Sequence, residues 1–211
     1  MPQFAFPDRF FVTGTDTDVG KTVVSALLAA GLGASYWKPV QCGLEGLGGD
    51  RDRVATWAGL TPDRVIPERY RLEAPLSPHL AARLEQVRID LQDFQLPEVS
   101  ERPLIVEGAG GLLVPLNERD LILDLIRQFQ LPVVLVARSK LGTINHTLLS
   151  IAALRAAEVP ILGVIVNGPR NPENCAAIAH YGQVPILAEL EPLPALNPQV
   201  LKDTFNQLFH A

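Results

Sequence analysis

Basic charge, cysteine and long apolar runs are all scarce in this sequence of 211 residues. The net charge of −5 predicts no basic surface for nucleic acid or for an anionic membrane. Apolar runs such as 131–137 are far shorter than a membrane-spanning helix, and the first residues lack the basic start and long apolar run of a secretory signal. We therefore expect a cytoplasmic protein with no nucleic-acid partner and no membrane partner.

The cysteine content argues against two further kinds of site. Cys42 and Cys175 are the only cysteines, and they lie far apart with no C-x-x-C spacing. A disulfide framework or a cysteine-based metal site is therefore not expected, and reduced thiols are the default.

The remaining composition is typical of a globular α/β protein. Hydrophobic residues make up 47% of the chain and charged residues 19%, and the length suits one such domain rather than two. Apolar runs typical of strands alternate with helical patterns from end to end, which predicts a mostly parallel sheet covered by helices on both faces. We expect residues 1–211 to form one three-layer α/β/α domain.

The most informative stretch is Phe10–Gly31, with the sequence FFVTGTDTDVGKTVVSALLAAG. An apolar strand-like run leads into a glycine-bearing loop and then into an Ala- and Leu-rich helix that begins near Lys21. This order predicts a phosphate-binding loop (P-loop), because loop N–H groups and the helix N-terminus both attract an anion. Lys21 would reach the β- and γ-phosphates, and the Thr22 hydroxyl would bind the accompanying Mg²⁺. The strict pattern has glycine where this chain has Thr15, and a plain glycine turn with a surface lysine is the alternative.

A second cation and two acids follow at the next strand and helix. Lys38 comes near the end of the strand-like run 34–40, where doubly wound sheets place their ligand crevice. It is either a solvated charge at the rim or a group that stabilises a transferring phosphoryl. Asp50 and Asp52 open a helical pattern, where they either cap the helix or hold Mg²⁺.

Another acid lies on the apolar run 103–111. Glu107 follows four apolar or small residues and precedes Ala and Gly residues that allow close backbone approach to a ligand. P-loop proteins carry a Mg²⁺-linked acid on a strand at such a place, and a buried glutamate needs a metal or cation partner. We expect residues 108–111 to form a loop whose N–H groups face a phosphate or a carboxylate.

Two helices are predicted from weaker patterns. A turn at 75–79 leads into a helix with Leu80, Ala81 and Leu84 on one face. The segment 118–130 reads as an amphipathic helix with Leu121, Leu125 and Ile126 on its inward side.

The second half of the chain offers candidate ligand contacts at two strand exits. Thr143 would cap a helix over 143–157 and leave N–H groups free for an anion, with Asn145 in the first turn. Asn167 follows a buried strand in the sequence Asn-Gly-Pro, where it either contacts an adenine edge or serves turn formation.

Four motifs together resemble the dethiobiotin synthetase family. They are VTGTDTDVGKT (12–22), KPVQCG (38–43), VEGAGG (106–111) and KLGTINH (140–146). The P-loop alone occurs in many enzymes, but this combination in this order is specific and covers most of the chain. The resemblance implies a homodimeric ligase that uses ATP and Mg²⁺ to join CO₂ to 7,8-diaminononanoate and close the cyclic urea of dethiobiotin.

The resemblance also implies a role for individual residues. Lys21 and Lys38 would be catalytic, and Mg²⁺ would be held by Thr22, Glu107 and Asp50, with Asp52 as the alternative acid. The implied ATP contacts are Asp18, Val19, Gly20, Lys21, Thr22, Val23, Asp50, Glu107, Gly108, Ala109, Gly110, Asn167, Gly168, Glu191, Pro192 and Leu193. The implied substrate contacts are Thr15, Lys38, Cys42, Gly111, Gly142 and Asn145.

Two departures from the family pattern weaken single assignments. The family usually has a hydroxyl residue where this chain has Cys42, so one substrate hydrogen bond would be weaker. It often has Asp where this chain has Gly168, which bears on the nucleobase contacts only.

Two other protein classes share the expected fold. An ATPase switch of the partitioning type would carry a further lysine early in the loop, where this chain has Asp16. An amidotransferase of the cobyrinate type would need an ammonia source, and no glutaminase domain follows here.

Overall fold

The structure is a computed structural model that describes residues 4–44, 48–99 and 102–209. The glycine-rich loop expected at 43–49 lies partly outside these residues, since 45–47 are not among them. Within the described residues the chain forms nine strands and seven α-helices. The strands are β1 (Arg9–Gly14), β2 (Ser35–Trp37), β3 (Val40–Cys42), β4 (Val65–Ile66), β5 (Tyr70–Leu72), β6 (Leu104–Gly111), β7 (Val133–Arg138), β8 (Ile161–Asn167) and β9 (Ile186–Leu190). The α-helices are α1 (Lys21–Leu32), α2 (Asp50–Ala58), α3 (Pro78–Leu84), α4 (Ile122–Phe129), α5 (Thr143–Ala156), α6 (Pro172–Gly182) and α7 (Pro198–Phe209).

A seven-stranded sheet forms the centre of the fold, in the order β4-β2-β6-β1-β7-β8-β9. Every strand pairing in it is parallel, which confirms the predicted sheet. Parallel strands end at the same edge, so the loops after β1, β2, β6, β7 and β8 meet there. This edge is where the predicted site residues come together.

Two hydrophobic cores cover the two faces of the sheet, as the three-layer prediction requires. Along β1 the side chains alternate between them: Phe11 packs into one core, and Phe10 and Val12 pack into the other. The first core receives buried residues of α3 to α6, and the second receives those of α1, α2 and α7. Because both faces of the sheet are covered by these cores, the side chains on both sides of β7 are buried. This explains why the sequence of β7 is a continuous apolar run.

The run 34–40 is not one strand, as the sequence suggested. It divides at Lys38 and Pro39, and Val40 begins β3, which pairs with β5 in a separate two-stranded parallel sheet. Proline has no N–H to donate, and the Pro39 carbonyl instead accepts from the backbone N–H groups of Arg69 and Tyr70. The break leaves Lys38 at the end of β2, where it was expected.

Three other predicted details are wrong. Leu84 is 61% exposed, because α3 buries Ala81 and Ala82 instead. The helix expected at 118–130 begins at Ile122, and Leu121 is its N-cap residue. The segment 108–111 continues β6 rather than forming a loop.

None of the helices in the described part of the chain combines the length and the apolar character needed to cross a membrane.

Candidate active site

The P-loop has the predicted strand–loop–helix geometry. β1 ends at Gly14, and α1 begins at Lys21 after Gly20, which has a φ of 96°. No side chain caps this helix start, so its first N–H groups and its dipole remain available to an anion. Lys21 is buried, and its Nζ donates to the backbone oxygen of Asp16 at 2.9 Å. The Lys21 side chain therefore lies along the loop whose phosphate ligand it would contact.

A cluster of charges lies beside the loop at the ends of β2 and β6. Glu107 is completely buried, and its carboxylate accepts from the hydroxyls of Thr22 and Tyr36, each at 3.0 Å. Lys38 Nζ bonds to Glu107 Oε1 at 3.2 Å and to Asp50 Oδ2. Lys38 therefore bridges two acids that come from different parts of the chain, and Glu107 has the cation partner that its burial requires.

The two lysines differ in their ionisation. Burial lowers the pKa of Lys21 to about 8, and the neighbouring positive charge of Lys38 acts in the same direction. Burial would also lower the pKa of Lys38, but the Glu107 and Asp50 carboxylates outweigh it and leave that pKa above its ordinary value. Lys38 is thus a fixed positive charge, held in place by two negative ones.

Asp50 and Asp52 have different surroundings. Burial would raise the pKa of Asp50, but Lys38, Arg53 and the Thr22 hydroxyl together hold it below its usual value. Asp52 instead accepts from the backbone N–H of Gly49 at 3.2 Å and pairs with Arg51. Only Asp50 of the two lines the large cavity described next.

A cavity of about 700 Å³ opens at this edge of the sheet. It is lined by part of the P-loop, by Lys38 and Asp50 of the charge cluster and by further segments, whereas the buried Glu107 is not part of the lining. The lining residues are Thr17, Asp18, Gly20, Lys21, Thr22, Lys38, Gln41, Cys42, Gly43, Asp50, Arg53, Pro75, Leu76, Ser77, Pro78, Ala109, Gly110 and Val114. Polar groups gathered in a concave site of this size are typical of a ligand pocket.

Sequence reasoning missed three polar residues of this site. Tyr36 lies on β2 and bonds to Glu107, and Arg53 lies one helical turn after Asp50. The Gln41 side chain accepts from the Asp50 N–H at 2.9 Å and donates to the carbonyl oxygens of Cys42 and Gly43. Only Gln41 had a local signal, its position within the KPVQCG motif.

Cys42 lines the cavity as a neutral thiol, because burial raises its pKa to about 11. Only the thiolate reacts with iodoacetamide, so its alkylation should be slow near neutral pH and about tenfold faster per pH unit up to about pH 10. Mass spectrometry of the alkylated peptide measures the rate, and Cys42→Ser reports the background from Cys175. A rate that levels off near pH 8 would contradict the prediction.

A smaller cavity of about 330 Å³ is lined by residues of the P-loop, of the end of β6 and of α5. Thr15 and Gly111 line it, as do His146 and Ser150 of α5, and Val114 lines both cavities. Gly142 and Asn145 are exposed at the start of α5, outside this lining. Thr143 does not cap that helix: Gly142 is the N-cap residue, and the buried Thr143 hydroxyl lies 3.5 Å from that of Thr147.

The residues implied for adenine are not part of either cavity lining, although Asn167 adjoins Gly20 of the larger one. Asn167 ends β8 and donates to the Val19 carbonyl at 3.0 Å, and the N–H of Gly168 donates to Leu190. The turn 191–193 follows β9, with Glu191 and Pro192 exposed. Among the described residues that line the cavities, none belongs to this group.

The acids of the charge cluster fit a magnesium ion by their chemistry. Carboxylate and hydroxyl oxygens are the hard ligands that Mg²⁺ prefers, and Thr22, Asp50 and Glu107 supply these in one place. Within 4–44, 48–99 and 102–209 no group of three or more His, Cys, Asp or Glu side chains is placed to hold a metal ion. A set of two acids and one hydroxyl is the kind that P-loop proteins complete with phosphate oxygens and water.

A parallel sheet whose central strand runs through a glycine loop into a helix, with Lys21 and Thr22 at the helix start, defines a P-loop nucleotide-binding protein. The family model described as an AAA domain matches residues 8–200. An ATP-dependent dethiobiotin synthetase, BioD, from Paramagnetospirillum magneticum is 55% identical over 88% of this chain and 89% of its own length. The chain belongs to the family of ATP-dependent dethiobiotin synthetases and is an enzyme of that family.

Two further comparisons show how the chain relates to larger and more distant proteins. The biotin biosynthesis bifunctional protein BioCD of Bordetella avium is 53% identical over 94% of this chain, which spans only 44% of that relative's length. Among solved structures, a ParA family ATPase from Chlorobium tepidum is 13% identical over 93% of this chain and 90% of its own, with a TM-score of 0.48. A likeness at that level adds nothing to the family assignment.

Proposed function

We propose that the chain carboxylates 7,8-diaminononanoate (7,8-diaminopelargonate) with CO₂ to form dethiobiotin, releasing ADP and phosphate, as a step of biotin biosynthesis. The observation that carries the proposal is the meeting of Lys21 and Lys38 beside the P-loop at the larger cavity, with Lys38 held from behind by the buried Glu107. The names of the relatives at about half identity support the same reaction. The whole chain would then act as a single ligase domain.

The reaction balances in three steps. One amine of the substrate attacks CO₂ and loses a proton to give a carbamate. A carbamate oxygen attacks the γ-phosphorus of ATP, and the bond from phosphorus to the ADP oxygen breaks, leaving a carbamic–phosphoric anhydride. The second amine attacks the carbonyl carbon of this anhydride, phosphate leaves, and the ring closes to a cyclic urea.

The protein contributes mainly position and charge to these steps. Lys38 is held beside the P-loop by Glu107 and Asp50, so its positive charge is in place before the phosphoryl group moves. Lys21 and the free N–H groups of α1 would hold the phosphates of ATP. In our proposal the phosphates of ATP are contacted by residues 18–23, by Asp50 and by residues 107–110.

The magnesium that accompanies ATP would be held by Thr22, Asp50 and Glu107. When bound, it would neutralise charge on the phosphate oxygens. The hydrogen bond from the Thr22 hydroxyl to Glu107 holds these two oxygens next to each other.

The diamine would occupy the smaller cavity and the boundary between the two cavities, where Val114 lines both. Thr15 and Gly111 line the smaller cavity and Cys42 lines the larger one, and the exposed residues Gly142 and Asn145 would receive the substrate of a second copy. Three large apolar side chains are exposed near this surface, namely Leu113, Leu141 and Leu149. We therefore propose a homodimer that covers them. Asn167, Gly168 and 191–193 would contact the adenine.

Phosphate release tests the proposal directly. Purified protein is given ATP, Mg²⁺ and bicarbonate with and without 7,8-diaminononanoate, and the products are weighed by mass spectrometry. Strong stimulation by the diamine, with a product that gains CO and loses two hydrogens, is expected. A slow rate of ATP hydrolysis that does not change with the diamine but changes with a protein or a membrane would favour a switch ATPase.

The acid that holds magnesium is tested by Asp50→Asn and Asp52→Asn. Asp50→Asn should raise the Mg²⁺ concentration needed for half-maximal turnover by at least about tenfold, because loss of even an indirect metal partner costs that much. Asp52→Asn should change it far less, since Asp52 bonds to Gly49 and Arg51 instead. The reverse order would move the metal ligand to Asp52.

A further inference from the structure

The P-loop adopts backbone conformations that need support. Asp18 has a φ of 56° and Gly20 a φ of 96°, both in the left-handed region. Residues other than glycine rarely adopt this backbone region. The backbone of Asp18 is therefore strained, and contacts with the surrounding structure must offset that strain.

Two side chains from neighbouring strands bond to the loop at different points. Arg138 and Asn167 are register partners at the carboxyl ends of β7 and β8, and we call them the strand-end pair. Arg138 Nη2 donates to Asp16 Oδ2 at 2.7 Å, and Asn167 Nδ2 donates to the Val19 carbonyl at 3.0 Å. The pair thus holds the loop near its start and just before its final glycine.

Each of these two contacts holds a part of the loop that adjoins a group expected to bind phosphate. The Asp16 backbone oxygen accepts from Lys21 Nζ, so Arg138 fixes the residue that holds the lysine. Val19 immediately precedes Gly20, and a Cβ built on Gly20 would lie only 2.0 Å from Asn167 Nδ2. Asn167 therefore packs directly against the backbone turn that aims the first N–H groups of α1.

We infer that the strand-end pair positions the P-loop for phosphate, and that Asn167 acts on the phosphates of a nucleotide through the loop. A loop already held in its binding shape loses less conformational freedom when an anion binds. The inference rests on the proposed function only in that the loop takes a nucleotide. It adds a second role for Asn167 to the adenine contact proposed above, and that adenine contact would affect the base alone.

Two probes separate these roles of Asn167, namely ADP and tripolyphosphate, which has no base. Asn167→Ala should weaken the binding of both probes by about threefold to tenfold, the range expected for one lost hydrogen bond. Isothermal titration calorimetry measures both dissociation constants. Asn174→Ala is the matched control, since its side-chain amide donates to the Ser139 carbonyl near the same strand ends, away from the loop; it should leave both constants unchanged.

The outcomes are distinct. Weakening of tripolyphosphate supports positioning by Asn167, and any larger weakening of ADP reports the additional base contact. Weakening of ADP alone would overturn it in favour of a base contact, and unchanged binding of both probes would overturn it outright. If the wild-type protein bound neither probe, the proposed function would fail and the inference with it.

Asp16→Ala tests the role of Arg138, the other member of the strand-end pair. The test uses the direction in which the affinity for tripolyphosphate changes. Removing a negative charge near the loop should tighten tripolyphosphate binding if charge alone acts. If the Arg138 contact positions the loop, the same variant should weaken binding by about twofold to threefold, a small change because the pair is exposed. Arg138→Ala should also weaken it, whereas Arg102→Ala, which breaks the equally exposed pair with Asp63, should not. Tighter binding by Asp16→Ala would overturn the role of Arg138.

Discussion

Lys38→Ala should lower kcat for diamine-dependent phosphate release by about 100-fold to 1,000-fold, the loss typical of removing one preorganised charge from a transition state. Lys38 bridges Glu107 and Asp50 beside the P-loop, so its positive charge is fixed where the phosphoryl group would transfer. Steady-state turnover with saturating ATP and diamine measures the effect.

The same substitution leaves two acids without their shared cation, so its effect on stability must be separated from its effect on catalysis. Glu107 is fully buried, and breaking a buried ion pair is strongly destabilising. Turnover should therefore be measured at a temperature where circular dichroism shows the variant folded. Lys202→Ala, on the exposed side of α7, is the matched control and should leave kcat unchanged. Near-normal turnover of folded Lys38→Ala would remove Lys38 from the proposed mechanism.

Lys21→Ala should impair both ATP binding and phosphoryl transfer. The lysine lies at the first position of α1 with its Nζ on the Asp16 carbonyl, from which it would reach the phosphates of ATP. We expect KM for ATP to rise and kcat to fall by about 100-fold or more, because the lost charge acts on bound and transferring phosphate alike. Initial rates over a range of ATP concentrations separate the two effects.

The fold of this variant should survive. Lys21 bonds to a backbone oxygen and not to a buried acid, so its removal leaves no unpaired carboxylate behind. The thermal midpoint should therefore fall less than that of Lys38→Ala. A variant that keeps its KM for ATP and most of its turnover would show that the loop binds phosphate without this side chain.

The parts of the site that follow from the sequence are those encoded by neighbouring residues. The P-loop joins a strand, a turn and a helix within Phe10–Gly31, so local pattern and the physics of helix ends were enough to predict it. Lys38 and Glu107 were predicted for a similar reason, because both lie at or near the carboxyl ends of apolar runs in a parallel sheet.

The parts that could not be predicted depend on contacts between distant residues. Tyr36 and Glu107 are 71 positions apart in sequence, and only the pairing of β2 with β6 brings the hydroxyl to the carboxylate. The small sheet of β3 and β5 was missed because strands of three residues are too short to show a period. At α5, a glycine in the left-handed region took the capping position that Thr143 was expected to fill.

Among the described residues, Val114 alone lines both the larger and the smaller cavity. Under the proposed function, Val114 would face the phosphate side of the site in one cavity and the diamine side in the other. A change in the size of the side chain at position 114 would therefore alter both spaces at once.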